Sequence, residues 1–164
     1  MTLRSDLEKL PYSFWENSKI KIRPIASEKD LIYAGFECKL TEEQKELVNP
    51  FWFSIGRAYL FREDHLPCII YNLENEPIGF INFSKWTGSE DAYSWSYFID
   101  KDHQGLGYGK MAAALAIHIL KNANPQKQIR LATEVSNLKA QSLYISLGFL
   151  KLNETDGDDL VFAL

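Results

Sequence analysis

A short glycine-rich segment, Gln104-Gly-Leu-Gly-Tyr-Gly109, constrains this chain more than any other stretch, because of what flanks it. Upstream, residues 93–99 alternate aromatic rings with serines before an apolar end, the period-2 pattern of a strand. Downstream, Met111, Ala114, Leu115, His118 and Ile119 recur at i, i+3, i+4, i+7 and i+8, one apolar face of a helix. The segment must therefore turn a strand into a helix. A helix N-terminus carries N–H groups without intrahelical acceptors and the positive end of the helix dipole. Glycines let the backbone approach an anion closely, so strand, loop and helix together make a cradle for a pyrophosphate. A dinucleotide fingerprint would need G-x-G-x-x-G after the first strand of a βαβ unit. Here the spacing is G-x-G-x-G and the strands before it read as antiparallel, which disfavours that ligand. A glycine turn with no ligand is the plain alternative for the loop taken alone.

The rest of the chain reads as the sheet and helices around this unit. Residues 1–18 are a mixed, aromatic lead-in containing Tyr12, Phe14 and Trp15. Residues 19–25 alternate Ile20 and Ile22 with Lys21 and Arg23, a half-buried strand ended by Pro24. Ser27 with Asp30, and Thr41 with Gln44, have capping-box spacing and predict helices over about 28–36 and up to about 48. A further short helix is expected over 54–60, strands over 67–71 and 78–85, a strand over 129–135 and a helix over 138–147 stopped by Gly148. Residues 149–153 and 160–164 pair around a turn at Asp156-Gly157. This order predicts one α/β domain spanning residues 1–164, with a mixed sheet and helices on its faces.

Composition narrows the function classes. A chain of 164 residues with 46% hydrophobic and 24% charged residues suits one soluble domain. The net charge of -4, with no Lys/Arg cluster, argues against nucleic acid as a partner. Cys38 and Cys68 stand in apolar surroundings and read as reduced core residues. No CxxC or His/Cys cluster appears, so no metal is expected. Neither a signal-like apolar run nor a stretch of spanning length is visible, so no membrane contact is expected and a cytoplasmic location is the default.

Two motifs together carry a family resemblance. Gln104, Gly107 and Gly109 fit Q/R-x-x-G-x-G/A, preceded by Phe98-Ile99-Asp100. Asn137, Ala140, Leu143, Tyr144, Gly148 and Phe149 fit Asn-x-x-Ala-x-x-Leu-Tyr-x-x-x-Gly-Phe. With both at this spacing, the chain resembles the GNAT superfamily of acetyl-CoA-dependent N-acetyltransferases over roughly residues 19–164. The resemblance implies a central sheet splayed between its fourth and fifth strands. It implies that the backbone of Gln104, Gly105, Leu106, Gly107, Tyr108, Gly109 and Lys110 holds the CoA pyrophosphate. Pantetheine would lie in the splay, bonded to backbone near Phe98 and Ile99, with Asn137 touching the same arm. Read without the family, Asn137 is a helix N-cap.

The resemblance makes Tyr144 the general acid. A phenol with an ordinary pKa of about 10 is protonated at neutral pH and can protonate a leaving thiolate. Outside the motif, Tyr144 is a buried helix aromatic. Deprotonating the attacking amine needs a base, and some relatives place a Glu where this chain has Ala132. Glu134 lies on the same side of the strand by period 2 and is the candidate substitute, with a plain solvated Glu as the alternative. Glu90 and Asp91 form a second candidate pair.

Within the family, the likeness extends to a bacterial diamine or polyamine acetyltransferase-like branch, although Trp95 stands where well-studied polyamine enzymes carry an acidic residue. Glu42, Glu46, Asp91 and Trp95 are the candidate acceptor residues, three carboxylates to attract a cationic amine and an indole to cover it. The expected activity is acetyl transfer to a small primary amine in a ternary complex, with a homodimer compatible with the sequence. Acetylation of a protein or peptide amine, or a non-catalytic acyl-CoA sensor, are the alternatives.

Overall fold

The computed structural model describes residues 1–164. The lead-in opens with α1 (Leu3–Glu8), capped by Thr2, and a 3₁₀ turn over Tyr12–Trp15. Strand β1 (Ile20–Pro24) follows, then α2 (Glu28–Ile32), α3 (Glu42–Leu47) and α4 (Phe51–Leu60). Next come β2 (His65–Asn72), β3 (Pro77–Lys85) and β4 (Ala92–Ile99), then α5 (Tyr108–Ala123). The chain closes with β5 (Gln128–Thr133), α6 (Leu138–Ser146), β6 (Leu150–Asp156) and β7 (Asp159–Ala163). Both capping boxes read from the sequence form, at Ser27 with Asp30 and at Thr41 with Gln44. No helix is long and apolar enough to cross a membrane.

Seven strands make one mixed sheet in the order β1-β2-β3-β4-β5-β7-β6. The meander β1 to β4 is antiparallel, and β5 joins β4 in parallel. A parallel neighbour needs a crossover, and α5 supplies it. The larger core lies between the sheet and α5 with the lead-in, and includes Leu7, Trp15, Ile22, Phe83, Leu115, Ile119 and Phe149. A smaller core on the opposite face joins Ile69, Phe80 and Phe98 to Tyr33, Ala34 and Phe51 from the α2–α4 region. The two faces follow from period 2 along β4, which sends Tyr93, Trp95 and Ile99 to the first core and Phe98 to the second.

Several local readings differ from the structure, and the strand expected over 129–135 ends at Thr133. The helix expected over 28–36 stops at Ile32 and continues as a π turn over Tyr33–Glu37. Helix α4 starts at Phe51, three residues before the expected 54, with Pro50 as its N-cap residue. Helix α5 is rotated from the expected stripe. Ala112, Ala113, Leu115, Ala116, Ile119 and Leu120 are buried, whereas Ala114 and His118 are exposed and Met111 is half-buried. Apolar residues occupy most of this helix, so two stripes were available, and the one with more alanines lets the helix sit closer to the sheet. His118 instead stacks on Phe14 at 5.7 Å.

The lead-in is anchored rather than loose. Buried Asp6 accepts from the Tyr93 hydroxyl at 2.5 Å and from Asn124 Nδ2 at 2.9 Å, tying α1 to the start of β4 and the end of α5. Arg4 Nη2 donates to the His65 carbonyl at 2.9 Å.

Candidate functional site

Helix α5 begins at Tyr108 behind an N-cap glycine, Gly107, held at φ 85°. Only glycine adopts this left-handed conformation without strain, and Gly105 before it is also left-handed at φ 77°. The consequence is a continuous run of free donors. None of the backbone N–H groups of Gly105, Leu106, Gly107, Tyr108, Gly109 and Lys110 donates to any protein acceptor. Successive N–H groups in such a turn form an anion-binding concavity, reinforced by the helix dipole. A Cβ at Gly105 would meet nothing within 4 Å, so the loop has room in front of it. These features fit a pyrophosphate.

The loop opens onto a gap in the sheet. Strand β4 is registered with β3 over its length from Tyr93 to Ile99, but with β5 only at Ala92↔Gln128 and Tyr93↔Ile129. Beyond Tyr93 the two strands diverge. Asp100 N–H donates to the Ile78 carbonyl at 2.8 Å, so even-numbered residues of β4 direct their backbone groups at β3. The backbone of Trp95, Tyr97 and Ile99 therefore faces the gap. At the far end, Gly79 of β3 permits a close approach, since a Cβ there would lie 2.4 Å from the Phe98 carbonyl oxygen. This backbone therefore cannot stay as it is beside any larger residue at 79. The Phe98 ring is buried against Phe80 at 5.3 Å, and it is the backbone of Ile99 that lines the opening.

Tyr144, on α6, closes the gap from the other side. Its ring packs on Phe149, just before β6, at 5.8 Å and on Phe162 of β7 at 5.7 Å, which fixes the side chain. The hydroxyl has no hydrogen-bond partner in the protein, and burial pushes its pKa up to about 12. Tyr97 approaches from β4 and donates to the Gly109 carbonyl at 3.0 Å. Burial, and then the neighbouring Tyr144, raise the Tyr97 pKa. Asn137 caps α6, its Oδ1 accepting from Ala140 N–H at 3.1 Å, which leaves its Nδ2 donors free.

Strand β5 ends at Thr133, so Glu134 lies just past it, in the loop to α6. It is exposed and accepts from Ser136 Oγ at 3.3 Å. Together with Val135, Ser136, Asp156, Asp158 and Asp159 it lines a cleft of about 570 Å³. No cation lines this cleft. Burial raises the Asp159 pKa, and so do the charges of Glu134, Asp156 and Asp158.

A model of the acetyltransferase (GNAT) family matches residues 30–149, nearly three quarters of the chain. The chain belongs to the GNAT acetyltransferase family. As a GNAT member it is an acetyl-CoA-dependent N-acetyltransferase, and its splayed sheet is the fold of that family. Solved structures share the fold at low identity. The spermidine N-acetyltransferase of Vibrio cholerae, in complex with CoA and spermine, superposes with a TM-score of 0.70 at 16% identity, covering 90% of this chain and 94% of that one. The aminoglycoside acetyltransferase AAC(6')-Ib in complex with coenzyme A gives 0.69 at 21% identity, covering 88% and 92%. A Vibrio cholerae protein assigned as a ribosomal-protein-serine acetyltransferase gives 0.66 at 15%, covering 92% and 95%. No curated protein sequence matches significantly.

On this GNAT scaffold the four expected acceptor residues do not form one site. Trp95 is 5% exposed and packs edge-on against Phe149 in the larger core, because the face it shares with Tyr93 is the α5 face. Glu42 is paired with Lys45 at 2.7 Å, and Glu46 is exposed on the same short helix. Asp91 precedes β4 and lies 3.5 Å from Lys127. Helix α3 instead reaches the opposite end of β4, where Gln44 bonds to Ile99. An eight-residue strand separates the two ends, roughly 25 Å. The second candidate base pair is also engaged elsewhere, Glu90 with Lys85 at 2.5 Å and Asp91 with Lys127. The acidic residues that do converge, Asp156, Asp158 and Asp159, lie where the sequence predicts only a turn. The signal for them is the run Asp156-Gly-Asp-Asp159, three carboxylates in four residues with no basic neighbour.

Proposed function

We propose that this enzyme transfers the acetyl group of acetyl-CoA to a small, cationic primary amine by direct attack in a ternary complex, with residues 1–164 working as one domain. The observation that carries the reading is the run of free N–H groups from Gly105 to Lys110 opening onto the unpaired edge of β4. Gln104 to Lys110 hold the pyrophosphate, and the β4 backbone near Ile99 binds the pantetheine arm. The Nδ2 of Asn137 faces the same arm. Acetyl-CoA supplies the activated acyl group.

The remaining chemistry falls to side chains around the gap. The Tyr144 phenol, with its pKa pushed up to about 12, stays protonated at neutral pH. It has no partner in the protein, so its proton is available to the departing sulfur. Glu134 receives the amine proton, directly or through water. The carboxylates of Asp156, Asp158 and Asp159 favour a cationic acceptor, and favour one with a second positive charge over a monoamine.

Acetyl transfer to spermidine, a diamine, a lysine-containing peptide and a neutral-bodied monoamine, at low and high salt, tests the acceptor. The reading expects the diamine or spermidine to have the highest kcat/KM, with KM rising with salt. Preference for the lysine peptide would move the function to protein acetylation. Acetyl-CoA binding with no release of CoA in the presence of any of these amines would leave a sensor domain.

A further inference from the structure

The Ile99 carbonyl, at the end of β4, accepts two side-chain amides. Gln104 Nε2 donates from the glycine loop at 3.1 Å, and Gln44 Nε2 donates from α3 at 3.1 Å. Two donors fill both lone pairs of one carbonyl oxygen. The same Gln44 side chain is the third member of the α3 capping box. Its Oε1 accepts from Thr41 N–H at 2.9 Å, while the backbone N–H of Gln44 donates to Thr41 Oγ1 at 3.1 Å. The amide is thus spent at both ends, holding the start of α3 with one atom and the cofactor edge of the sheet with the other.

The surrounding contacts strengthen this seam. Lys101 N–H donates to the Lys39 carbonyl at 2.7 Å, and Lys39 N–H donates to Asp100 Oδ2 at 3.3 Å. Lys39 Nζ also pairs with Asp102 at 2.8 Å. The segment leading into α3 is therefore fastened to the turn that leads into the glycine loop. Gln44 is the one link that reaches the β4 edge itself. Leu40 and Val48, which flank α3, pack in the smaller core on the face of the sheet away from α5.

We propose that Gln44 is a positioning residue that couples occupation of the glycine loop to the placement of α3. The inference rests on the reading that CoA binds at Gly105–Lys110 and along β4. A ligand that draws on the Ile99 peptide or shifts Gln104 changes the acceptor that Gln44 holds. The change passes to α3 because the same side chain caps that helix. Coupling of this kind is reciprocal, so fixing α3 also tightens the cofactor site.

Gln44→Glu separates the two duties. A glutamate at this position still accepts from Thr41 N–H, as capping-box glutamates do, but has no donor for the Ile99 carbonyl. Gln44→Ala removes both. Each variant is first checked for folding by thermal melting. The readouts are CoA affinity by calorimetry and hydrogen exchange of the peptide covering residues 38–50, with and without CoA.

In the wild type, saturating CoA should slow exchange in this peptide by about 5-fold or more, the lower end of ordinary coupling. In Gln44→Glu the slowing should fall to about 2-fold or less, with CoA affinity weakened by the same factor that the coupling loses. Unchanged slowing in Gln44→Glu, or CoA binding to the wild type without any slowing, would overturn the proposal. Failure of CoA to bind the wild type at all would instead remove the functional reading on which it rests.

Discussion

The two edges of β4 differ in kind. On the β3 edge every residue from Tyr93 to Ile99 has a registered partner, and the side chains behind it build both cores. On the β5 edge the ladder stops after Tyr93, and what faces it is backbone, a partnerless phenol and a loop of unpaired N–H groups. Unpaired backbone groups cost stability wherever they are shielded from water. The difference teaches that one strand serves two purposes, with the closed edge supplying the stability that lets the open edge stay unpaired. Substitutions should therefore sort by edge. Those on the open side should change rates and binding, and those on the closed side should change stability.

The largest expected effect lies on the open side. Tyr144→Phe keeps the ring against Phe149 and Phe162 and removes only the proton. kcat should fall by about 10²–10⁴, with the melting temperature and CoA affinity little changed. An unaltered kcat would mean that water or another group protonates the sulfur. The raised pKa also sets a pH limit, because activity that depends on the protonated phenol should persist through pH 9 and decline only towards about 12.

On the closed side, Gly79→Ala places a Cβ 2.4 Å from the Phe98 carbonyl oxygen, which must move. A loss of about 1–3 kcal/mol in denaturant unfolding is expected, the usual cost of overpacking. Gly56→Ala is the control. It lies within α4 with nothing within 4 Å of its Cβ, and should stabilise by about 0.5–1 kcal/mol. If the two variants shifted stability alike, the close approach at Gly79 would carry no weight.

The closed side should also fail first in acid. His65, on β2, is 3% exposed, and its ring bonds to Asn82 Nδ2 at 3.1 Å. Burial lowers its pKa to about 4, with Arg57 adding to the effect. Below about pH 6.5 the unfolded chain takes up a proton that the folded ring refuses. Stability should therefore fall as pH drops from about 6.5 to about 4, and His65→Asn should flatten that slope. A slope unchanged by the substitution would assign the loss to other groups.

The smallest effect concerns the acidic cleft. Asp159→Asn should raise KM for a dicationic amine by a few-fold and weaken its salt dependence, in keeping with about 1 kcal/mol or less for exposed charge pairs. Neutral-bodied amines should respond little. Equal effects on both would remove the cleft from acceptor binding.

What could be read from the sequence follows how local each feature is. The turn from β4 into α5 is contiguous, so glycine spacing, strand alternation and helix period all pointed to the same unit. The capping boxes at Ser27 and Thr41 are likewise local. Trp95 shows where locality ends. Period 2 groups it with Tyr93 and Tyr97, but nothing along the chain says whether that face meets solvent or α5. The acidic cleft joins the β5–α6 loop to a hairpin about twenty residues later, and only the sheet order β5-β7-β6 brings them together. The buried face of α5 is hidden from the sequence for a related reason, since an alanine-rich helix is apolar on more than one side.

The central claim is that the open edge of β4 and the loop from Gly105 to Lys110 bind acetyl-CoA. Calorimetric titration of acetyl-CoA into the wild type and Gly107→Asp tests it most directly. At φ 85° an aspartate is strained, and its charge would meet the pyrophosphate. The account predicts binding to the wild type and a loss of about 100-fold or more in the variant, equivalent to about 2.7 kcal/mol. Thermal melting without ligand confirms that the variant is folded. Equal acetyl-CoA binding by both proteins, or binding of NAD in its place, would contradict the account.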